Sequence, residues 1–496
     1  MTPEIEKKTV GRGAAYVYVE TIASIISGYI FWIIMSKITT TETIGISSAV
    51  VSFAGIVAVV SSIGIPTGIQ RFIGKNFLEK NFDQARSVVI TSLILISTGI
   101  LLCSAIILVT HGWIQVVFRI DYSLTVISIL LVGSSVMSMM FRSVVISSLR
   151  TGSLPVIIIS SSIFKLILSI ALVLLGQGPI GLTLGLTFNH VLSSILLSII
   201  VFTNILPISP KKKISINFIS NAKKILVSSI VYWIPFLITT IGSYLGTIVV
   251  FGTEGSQEAG VYFLALTIVT GLISVMNSLF TIALPALSAL KDRRKRFAWQ
   301  TIRMSGIILL PFSYSLIFYS KEIMRLLGND YIIGSSYLQI LLLSIFPMII
   351  LSGVNALVYS YGNYRQVFLI GAAMSIPRTL LYFLLVPTYG GIGAAMSYTV
   401  GSIIGCVVAT IISKKIGMII YWRDIILLFL LPSTIGFILN YVGVNYVIAI
   451  LASMMLSYLL LLKIHIITIS DIRNILEVLP NKISTKIEKL ITIFKK

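Results

Sequence analysis

The chain has 496 residues, of which 56% are hydrophobic and only 11% are charged. A soluble domain usually carries about a quarter charged residues, so most of this chain is expected to contact lipid. The net charge of +21 does not indicate a nucleic-acid-binding protein, because the cations fall in short loops between apolar runs. Cys103 and Cys406 both lie in apolar runs, so they predict no disulfide framework. The three histidines lie far apart in sequence, and the chain shows no Cys/His cluster with metal-ligand spacing.

The apolar runs predict an all-α integral membrane protein of about fourteen transmembrane helices, since about 20 apolar residues cross the hydrocarbon core. The first run is too long for a signal-peptide core, so it is expected to be a retained helix. The predicted spans, in chain order, are 14–36, 43–65, 87–109, 123–147, 155–176, 179–205, 225–251, 260–284, 303–320, 334–359, 366–387, 391–413, 424–441 and 444–464.

The positions of the cations orient these spans. With the N-terminus inside, thirty-one of the 37 Lys and Arg residues fall in inside segments and four in outside loops. An excess of Lys and Arg marks cytoplasmic loops. We therefore expect a multi-pass protein of the cytoplasmic membrane with both termini cytoplasmic.

The segment 468–496 does not resemble a further span. After Pro480, apolar residues recur at helical spacing and lysines accompany them. This pattern predicts an amphipathic helix on the anionic cytoplasmic leaflet, with anionic membrane lipids as partners.

An internal repeat divides the chain. Gly178–Gly181 (GPIG) and Gly390–Gly393 (GGIG) precede spans 6 and 12 at an offset of 212 positions, and other glycines and prolines at span ends repeat at similar offsets. The prediction is two pseudo-symmetric six-helix lobes related by an axis along the membrane normal. The expected domains are the N-lobe 1–205, a basic cytoplasmic linker 206–224, the C-lobe 225–413, two added helices in 414–467, and the tail 468–496.

With these lobes, the chain resembles the polysaccharide transporter (Wzx-type) branch of the multidrug/oligosaccharidyl-lipid/polysaccharide flippase superfamily, whose fold is MATE-like. The resemblance rests on the helix count, on Pro66–Arg71 (PTGIQR), on Arg150–Gly152 (RTG) and on Gly390–Ala395 (GGIGAA). It implies a flippase that moves a polyprenyl-(pyro)phosphate-linked oligosaccharide from the cytoplasmic to the outer leaflet by alternating access. It also implies a cationic lumen, no cofactor, and coupling to H⁺, Na⁺ or the membrane potential.

Two cations lie in the middle of predicted spans. Lys165 in span 5 and Arg378 in span 11 are separated by 213 positions, which matches the repeat offset. A charge at the bilayer centre is costly and usually faces protein or water. Both are expected to face one lumen and bind a pyrophosphate, although neutralisation within helix packing is the alternative.

Four further residues are candidates for the site. Glu20 in span 1 is a candidate ion-coupling carboxylate. The alternatives are an ion pair with Lys165 and a position at the depth of the lipid headgroups. Asn189 and His190 in span 6 are candidate substrate ligands, and a buried interhelical hydrogen bond is the alternative for His190. Arg142 lies near the cytoplasmic end of span 4. It is expected either to contact the lipid headgroup or simply to mark the membrane interface. For Asn277 a packing hydrogen bond is favoured.

Two other functions compete with the flippase. A multidrug exporter of the same fold typically needs carboxylates in its lumen, and Glu20 supports that alternative. A glycan polymerase or glycosyltransferase generally needs a sizeable outside loop with paired acidic residues, whereas the longest outside loops, near 110–122 and 321–333, are short. The chain is therefore predicted not to be an enzyme. Its expected partners are a lipid-linked oligosaccharide and glycan-assembly enzymes, with no nucleic acid, and it is expected to act as a monomer.

Overall fold

The structure, a computed structural model, describes residues 3–112, 115, 121–207, 217–289, 293–464 and 466. All regular secondary structure in these residues is helical. The α-helices are α1 (Pro3–Ile38), α2 (Thr41–Ser62), α3 (Ile65–Leu78), α4 (Phe82–Val109), α5 (Tyr122–Ser147), α6 (Leu154–Leu172), α7 (Gly178–Ile200), α8 (Phe218–Glu254), α9 (Ser256–Ala289), α10 (Arg294–Phe318), α11 (Ser320–Leu327), α12 (Ser335–Leu342), α13 (Ile345–Ser360), α14 (Tyr364–Lys415), α15 (Trp422–Tyr441) and α16 (Tyr446–Lys463).

Within the described residues, eleven helical segments are long and apolar enough to cross a membrane, or twelve if one bent pair is counted as a span. That pair is Asn329–Leu342 and Ile345–Ser360, bent by 40°. The chain is therefore an all-α multi-pass membrane protein, as predicted. The count of fourteen stays a prediction, because two of the eleven segments each contain a sharp break.

These two breaks lie where the sequence predicts a pair of spans. Thr151–Ile205 and Tyr364–Lys415 are 55 and 52 residues long. The first breaks at Gly176, with φ of 81°, and the second at Gly390, with φ of 54°. Only glycine adopts such φ values without strain, so these residues allow a tight break between two apolar helices.

Close packing shows that each break is a hairpin. In the first hairpin, a Cβ added to Gly185 would lie 1.8 Å from the Ser169 Oγ, and in the second a Cβ at Gly401 would lie 2.6 Å from the Arg378 Cβ. Residues before the break thus face residues after it in antiparallel order. Both glycines belong to GxxxG spacings, which let helix backbones approach closely.

Two large clusters of buried apolar side chains form the interior. One extends from Ala54 to Ile225, and the other takes most of its members from Val249 to Ile466. Helices α15 and α16 pack on the outside of α10. The boundaries of the lobes stay predictions. The linker residues 208–216 and the tail 468–496 lie outside the described residues, and the helix that follows the linker already begins at Phe218.

The two halves meet along α2 and α8. A Cβ at Gly55 would lie 2.8 Å from the Tyr244 ring, and one at Gly64 would lie 2.7 Å from the Trp233 Cβ. The Trp233 indole donates a hydrogen bond of 2.8 Å to the Val59 carbonyl. The α2–α8 contact therefore extends from Gly55 to Gly64, while the start of α2 packs on the start of α9, where a Cβ at Gly45 would lie 1.6 Å from the Ser256 carbonyl oxygen.

A second contact between the halves, α1 with α9, covers only part of both helices. The Trp32 and Phe263 rings meet edge to face with centroids 5.0 Å apart, and the Tyr29 hydroxyl donates to the Ile268 carbonyl. Toward the N-terminus of α1, the same two helices separate around a cavity. The predicted topology places this cavity in the cytoplasmic half of the membrane.

Candidate functional site

The central cavity lies between α1, α5, α6 and α7 on one side and α9 on the other. It consists of two adjoining spaces of about 340 and 300 Å³, which share Thr21, Arg142 and Ser274. We call the two spaces together the central cavity. Its wall includes Glu20, Asn189 and many hydroxyl groups, so it can solvate a polar ligand within an apolar bundle.

The ion pair of Glu20 and Arg142 forms one wall of the central cavity. The Arg142 Nε donates to Glu20 Oε1 at 2.7 Å, and Nη2 donates to Oε2 at 2.9 Å. The Glu20 side chain is 9% exposed, whereas that of Arg142 is 40% exposed. Arg142 thus covers the carboxylate and presents the rest of its guanidinium to the cavity.

This pairing settles which partner Glu20 has in the structure. Lys165 lies at the level of Phe31, eleven residues farther along α1. At 1.5 Å per residue, that places Lys165 about 16 Å along the axis from Glu20. The alternative pair of Glu20 with Lys165 is therefore not formed.

Asn189 and His190 also line the central cavity, as the sequence predicts for ligand-binding residues. The Asn189 Oδ1 is buried and has no hydrogen-bond partner among the described residues. A buried acceptor without a partner is costly, so this amide is poised to bind a donor in the cavity. Their role as substrate ligands stays a prediction.

The opposite wall, on α9, contains two serines that the sequence analysis did not consider, together with Asn277, for which it favoured a packing hydrogen bond. Ser274, Ser278 and Asn277 face the cavity. The serine hydroxyls donate to carbonyls one turn back, Ser274 to Thr270 at 2.7 Å and Ser278 to Ser274 at 2.9 Å. The spacing of Thr270, Ser274 and Ser278 by four positions marks one polar face of an apolar helix, and this signal was available in the sequence.

Lys165 does not line the central cavity, which corrects the expectation for this residue. It is 7% exposed, and its Nζ lies 4.5 Å from the centre of the Phe31 ring. A cation over an aromatic face is stabilised by the ring quadrupole, most strongly away from water. The structure thus accommodates this charge within the packing of α1 and α6.

Arg378 is likewise enclosed, so the expectation that it faces the lumen also needs correction. It is 1% exposed, and its Nη2 donates to the Ser402 Oγ at 2.8 Å. Its Cζ lies 3.8 Å from the centre of the Tyr398 ring. The aromatic ring and the hydroxyl stabilise the charge without a carboxylate. The two cations do occupy corresponding places, since each lies beside a glycine of the next helix in its hairpin.

The described residues contain no group of three or more His, Cys, Asp or Glu side chains placed to hold a metal ion. The groups available in the central cavity are one guanidinium, one carboxylate, one imidazole, amides and hydroxyls. Such a set binds and orients a polar ligand.

Solved structures of low sequence identity share the fold. The chain aligns with the "Lipid II flippase MurJ, inward closed conformation" with a TM-score of 0.70 and 17% identity, over 90% of this chain and 98% of that one. An inward-facing multidrug resistance MATE family transporter of the MOP superfamily gives a TM-score of 0.57 and 15% identity, over 82% and 94%. A MOP superfamily transporter from Pyrococcus furiosus, described as having a binding pocket of reverse polarity, gives 0.56 and 14%, over 82% and 95%. The chain thus shares its fold with this flippase and these membrane transporters.

Family membership follows from the sequence match. Residues 10–291 match the family described as "Polysaccharide biosynthesis protein". This match covers more than half of the chain, and the chain belongs to that family. No curated protein sequence matches the chain.

Proposed function

We propose that this protein is a flippase that moves a polyprenyl-(pyro)phosphate-linked oligosaccharide from the cytoplasmic to the outer leaflet by alternating access. The observation that carries the proposal is the accessible guanidinium of Arg142 in a polar cavity between the two halves of the bundle. Membership of the polysaccharide biosynthesis family and the fold shared with a lipid II flippase support the same substrate class.

Arg142 has a free side with which to bind a phosphate. Its contacts with Glu20 use Nε and Nη2. A guanidinium has five donors in a planar fork, so the edge that includes Nη1 remains for a second acceptor. Phosphate oxygens suit such an edge and form charge-assisted hydrogen bonds with it. Asn189 and the α9 hydroxyls then supply neutral contacts for the sugar.

Glu20 is the proposed ion-coupling residue. Its carboxylate is nearly buried and has Arg142 as a charged partner. A proton or Na⁺ that binds Glu20 competes with Arg142 for the carboxylate and frees the guanidinium for the substrate. Binding of the ion and binding of the anionic substrate are thereby coupled through one side chain.

The central cavity lies toward the N-terminal end of α1. The contacts of Tyr29 and Trp32 with α9 close the end of the bundle beyond Glu20, and the space around Thr21 and Ser274 lies toward the predicted cytoplasmic side. This arrangement suits the loading step of an export cycle. Localisation in the cytoplasmic membrane with both termini inside belongs to the same proposal.

Deletion of the gene tests the function. In cells without a redundant transporter, we expect lipid-linked oligosaccharide to accumulate on the cytoplasmic face and export of the glycan to stop. The wild-type gene should restore export, Arg142→Gln should not, and Arg142→Lys should restore part of it because charge survives without the fork. Arg365→Gln, which removes an exposed guanidinium that lies outside the lining of the central cavity, is the matched control. Normal export in the deletion strain contradicts the proposal.

A multidrug exporter is the second candidate, and Glu20 in the cavity is the observation that favours it. The fold shared with MATE transporters supports it as well. An exporter of cationic compounds gives the deletion strain greater sensitivity to lipophilic cations and leaves its surface glycan unchanged. The flippase gives the opposite pair of results.

A further inference from the structure

A further cavity among the described residues is separate from the central cavity. It has a volume of about 490 Å³ and lies between the start of α10 and the turn that joins α14 to α15. We call it the α10 pocket. The predicted topology places it at the cytoplasmic surface of the membrane. None of its lining residues belongs to the proposed transport site.

The α10 pocket is strongly basic. Lys295, Arg296 and Arg303 line it, and Asp424 is the single carboxylate among the described residues of its wall. Asp424 lies in the first turn of α15, where the helix dipole already stabilises a carboxylate. The pocket thus retains a surplus of positive charge for an anionic ligand.

The backbone at the end of α14 lets Lys295 reach the pocket wall. Gly417 has a φ of 70°, a value at which an L side chain is strained. The Lys295 Nζ lies 3.1 Å from the place where a Cβ of Gly417 would be. A glycine here leaves room for the ammonium group beside the turn.

Aromatic rings form the floor of the α10 pocket. Trp299 is 6% exposed, and its ring lies 5.2 Å from that of Tyr421, tilted by 49°. Trp and Tyr are enriched where membrane proteins meet the headgroup layer. The start of α10 adds backbone N–H groups, whose dipole favours a phosphate.

An apolar surface continues from the pocket. A neighbouring space of about 400 Å³ shares Gly417 and Ile419 with it and is also lined by Trp422. Ile419 is 67% exposed, Trp422 40% and Ile426 44%. A ligand with a phosphate in the basic pocket thus finds an apolar path for an attached chain along α15.

We infer that the α10 pocket is a binding site for an anionic phospholipid of the cytoplasmic leaflet. The phosphate binds Lys295, Arg296 and Arg303, the glycerol region lies on Trp299 and Tyr421, and the acyl chains extend along the exposed apolar face of α15. Basic pockets between membrane helices on the cytoplasmic side are suited to such headgroups. The site does not depend on the function of the central cavity.

Native mass spectrometry of the purified full-length protein tests this site. The probes are phosphatidylglycerol and phosphatidylcholine with the same acyl chains, with glycerol phosphate and inorganic phosphate as probes without chains. We expect phosphatidylglycerol to bind more tightly than all three. Each cation near the membrane surface contributes on the order of a fivefold gain in affinity, so the double variant Lys295→Gln/Arg296→Gln should bind about 30-fold more weakly.

The matched control is Lys223→Gln/Lys224→Gln, which removes two exposed lysines from the same predicted face on α8. It should keep wild-type affinity for phosphatidylglycerol. Both double variants should unfold at the wild-type temperature in phosphatidylcholine, since only exposed side chains change. Equal loss in the two variants, or none in the pocket variant, overturns the site. Binding of glycerol phosphate or inorganic phosphate as tight as that of the lipid overturns the assignment to a phospholipid.

Discussion

The central cavity predicts that Glu20→Gln and Arg142→Gln have opposite effects on the affinity for an anionic ligand. Arg142→Gln removes the positive charge that we assign to the phosphate and leaves a nearly buried carboxylate beside the ligand. Glu20→Gln removes the competing carboxylate and frees the whole guanidinium. Binding of a pyrophosphate should therefore weaken in the first variant and strengthen in the second.

The structure sets the size of these effects. Arg142 forms hydrogen bonds of 2.7 and 2.9 Å with Glu20, but its side chain is 40% exposed. A hydrogen bond to a charged group contributes about 1.5–3 kcal/mol, and solvent screening at this exposure favours the lower end. A loss of about 1.4 kcal/mol is tenfold in Kd. Arg142→Gln should bind the ligand roughly tenfold more weakly, and Glu20→Gln several-fold more tightly.

Calorimetric titration of the purified protein with farnesyl pyrophosphate measures both changes, and farnesol is the uncharged control ligand. Arg365→Gln, an exposed residue outside the lining of the central cavity, should bind as the wild type does. Raised salt should reduce the differences among the variants, because the interactions are electrostatic.

The reasoning is refuted if Arg142→Gln binds farnesyl pyrophosphate as tightly as the wild type. It is also refuted if Glu20→Gln leaves the affinity for farnesyl pyrophosphate unchanged and instead weakens binding of a lipophilic cation such as tetraphenylphosphonium. That second result identifies Glu20 as the substrate ligand of a cation exporter.

Three further predictions follow from packing and topology. Arg378→Lys should lower the unfolding temperature by several degrees, because loss of the contacts with the Tyr398 ring and Ser402 costs on the order of 2–4 kcal/mol. Ligand affinity measured by calorimetry should stay unchanged. A large loss of affinity with normal stability contradicts the enclosed position of Arg378. Gly185→Ala should destabilise the first hairpin by about 1–3 kcal/mol, because the added Cβ would clash with Ser169. The control Gly133→Ala should unfold like the wild type, since the nearest atom to its Cβ lies at 3.6 Å. Equal unfolding temperatures for the two variants would disprove the tight crossing. Lys212→Cys and Lys295→Cys, in a background without native cysteines, should react with impermeant thiol reagents only after lysis, and labelling in intact cells would invert the topology.

Much of the fold could be predicted from the sequence, because lipid imposes a simple rule on each helix. A span must be long and apolar, and a tight break between two spans needs residues such as Gly176 and Gly390. These requirements are local, so they are visible in a single sequence. The repeat offset likewise identified Lys165 and Arg378 as residues in corresponding places of two hairpins.

The site was less predictable, because pairing across helices is not local. Glu20 and Arg142 are 122 positions apart, and nothing in either helix alone indicates the partner. The face on which Lys165 and Arg378 lie was misjudged for a related reason. The sequence analysis favoured a position facing the lumen over neutralisation within helix packing, and the aromatic faces of Phe31 and Tyr398 stabilise the two charges inside the protein.

The unequal contacts between the two halves have a mechanical consequence. The α2–α8 contact is continuous and tightly packed through Gly55 and Gly64, whereas the α1–α9 contact ends where the cavity begins. A rigid rotation of one half against the other that preserves the α2–α8 contact has its axis beside α2 and α8. Residues near that axis move little, and so does the start of α9, which packs on α2 through Gly45 and Gly260. The N-terminal part of α1 and the C-terminal part of α9 move most. Glu20 and Arg142 lie on helices of the same half, so their ion pair moves as one unit. A small rotation about the axis therefore becomes a larger displacement of this pair relative to Ser274 on α9.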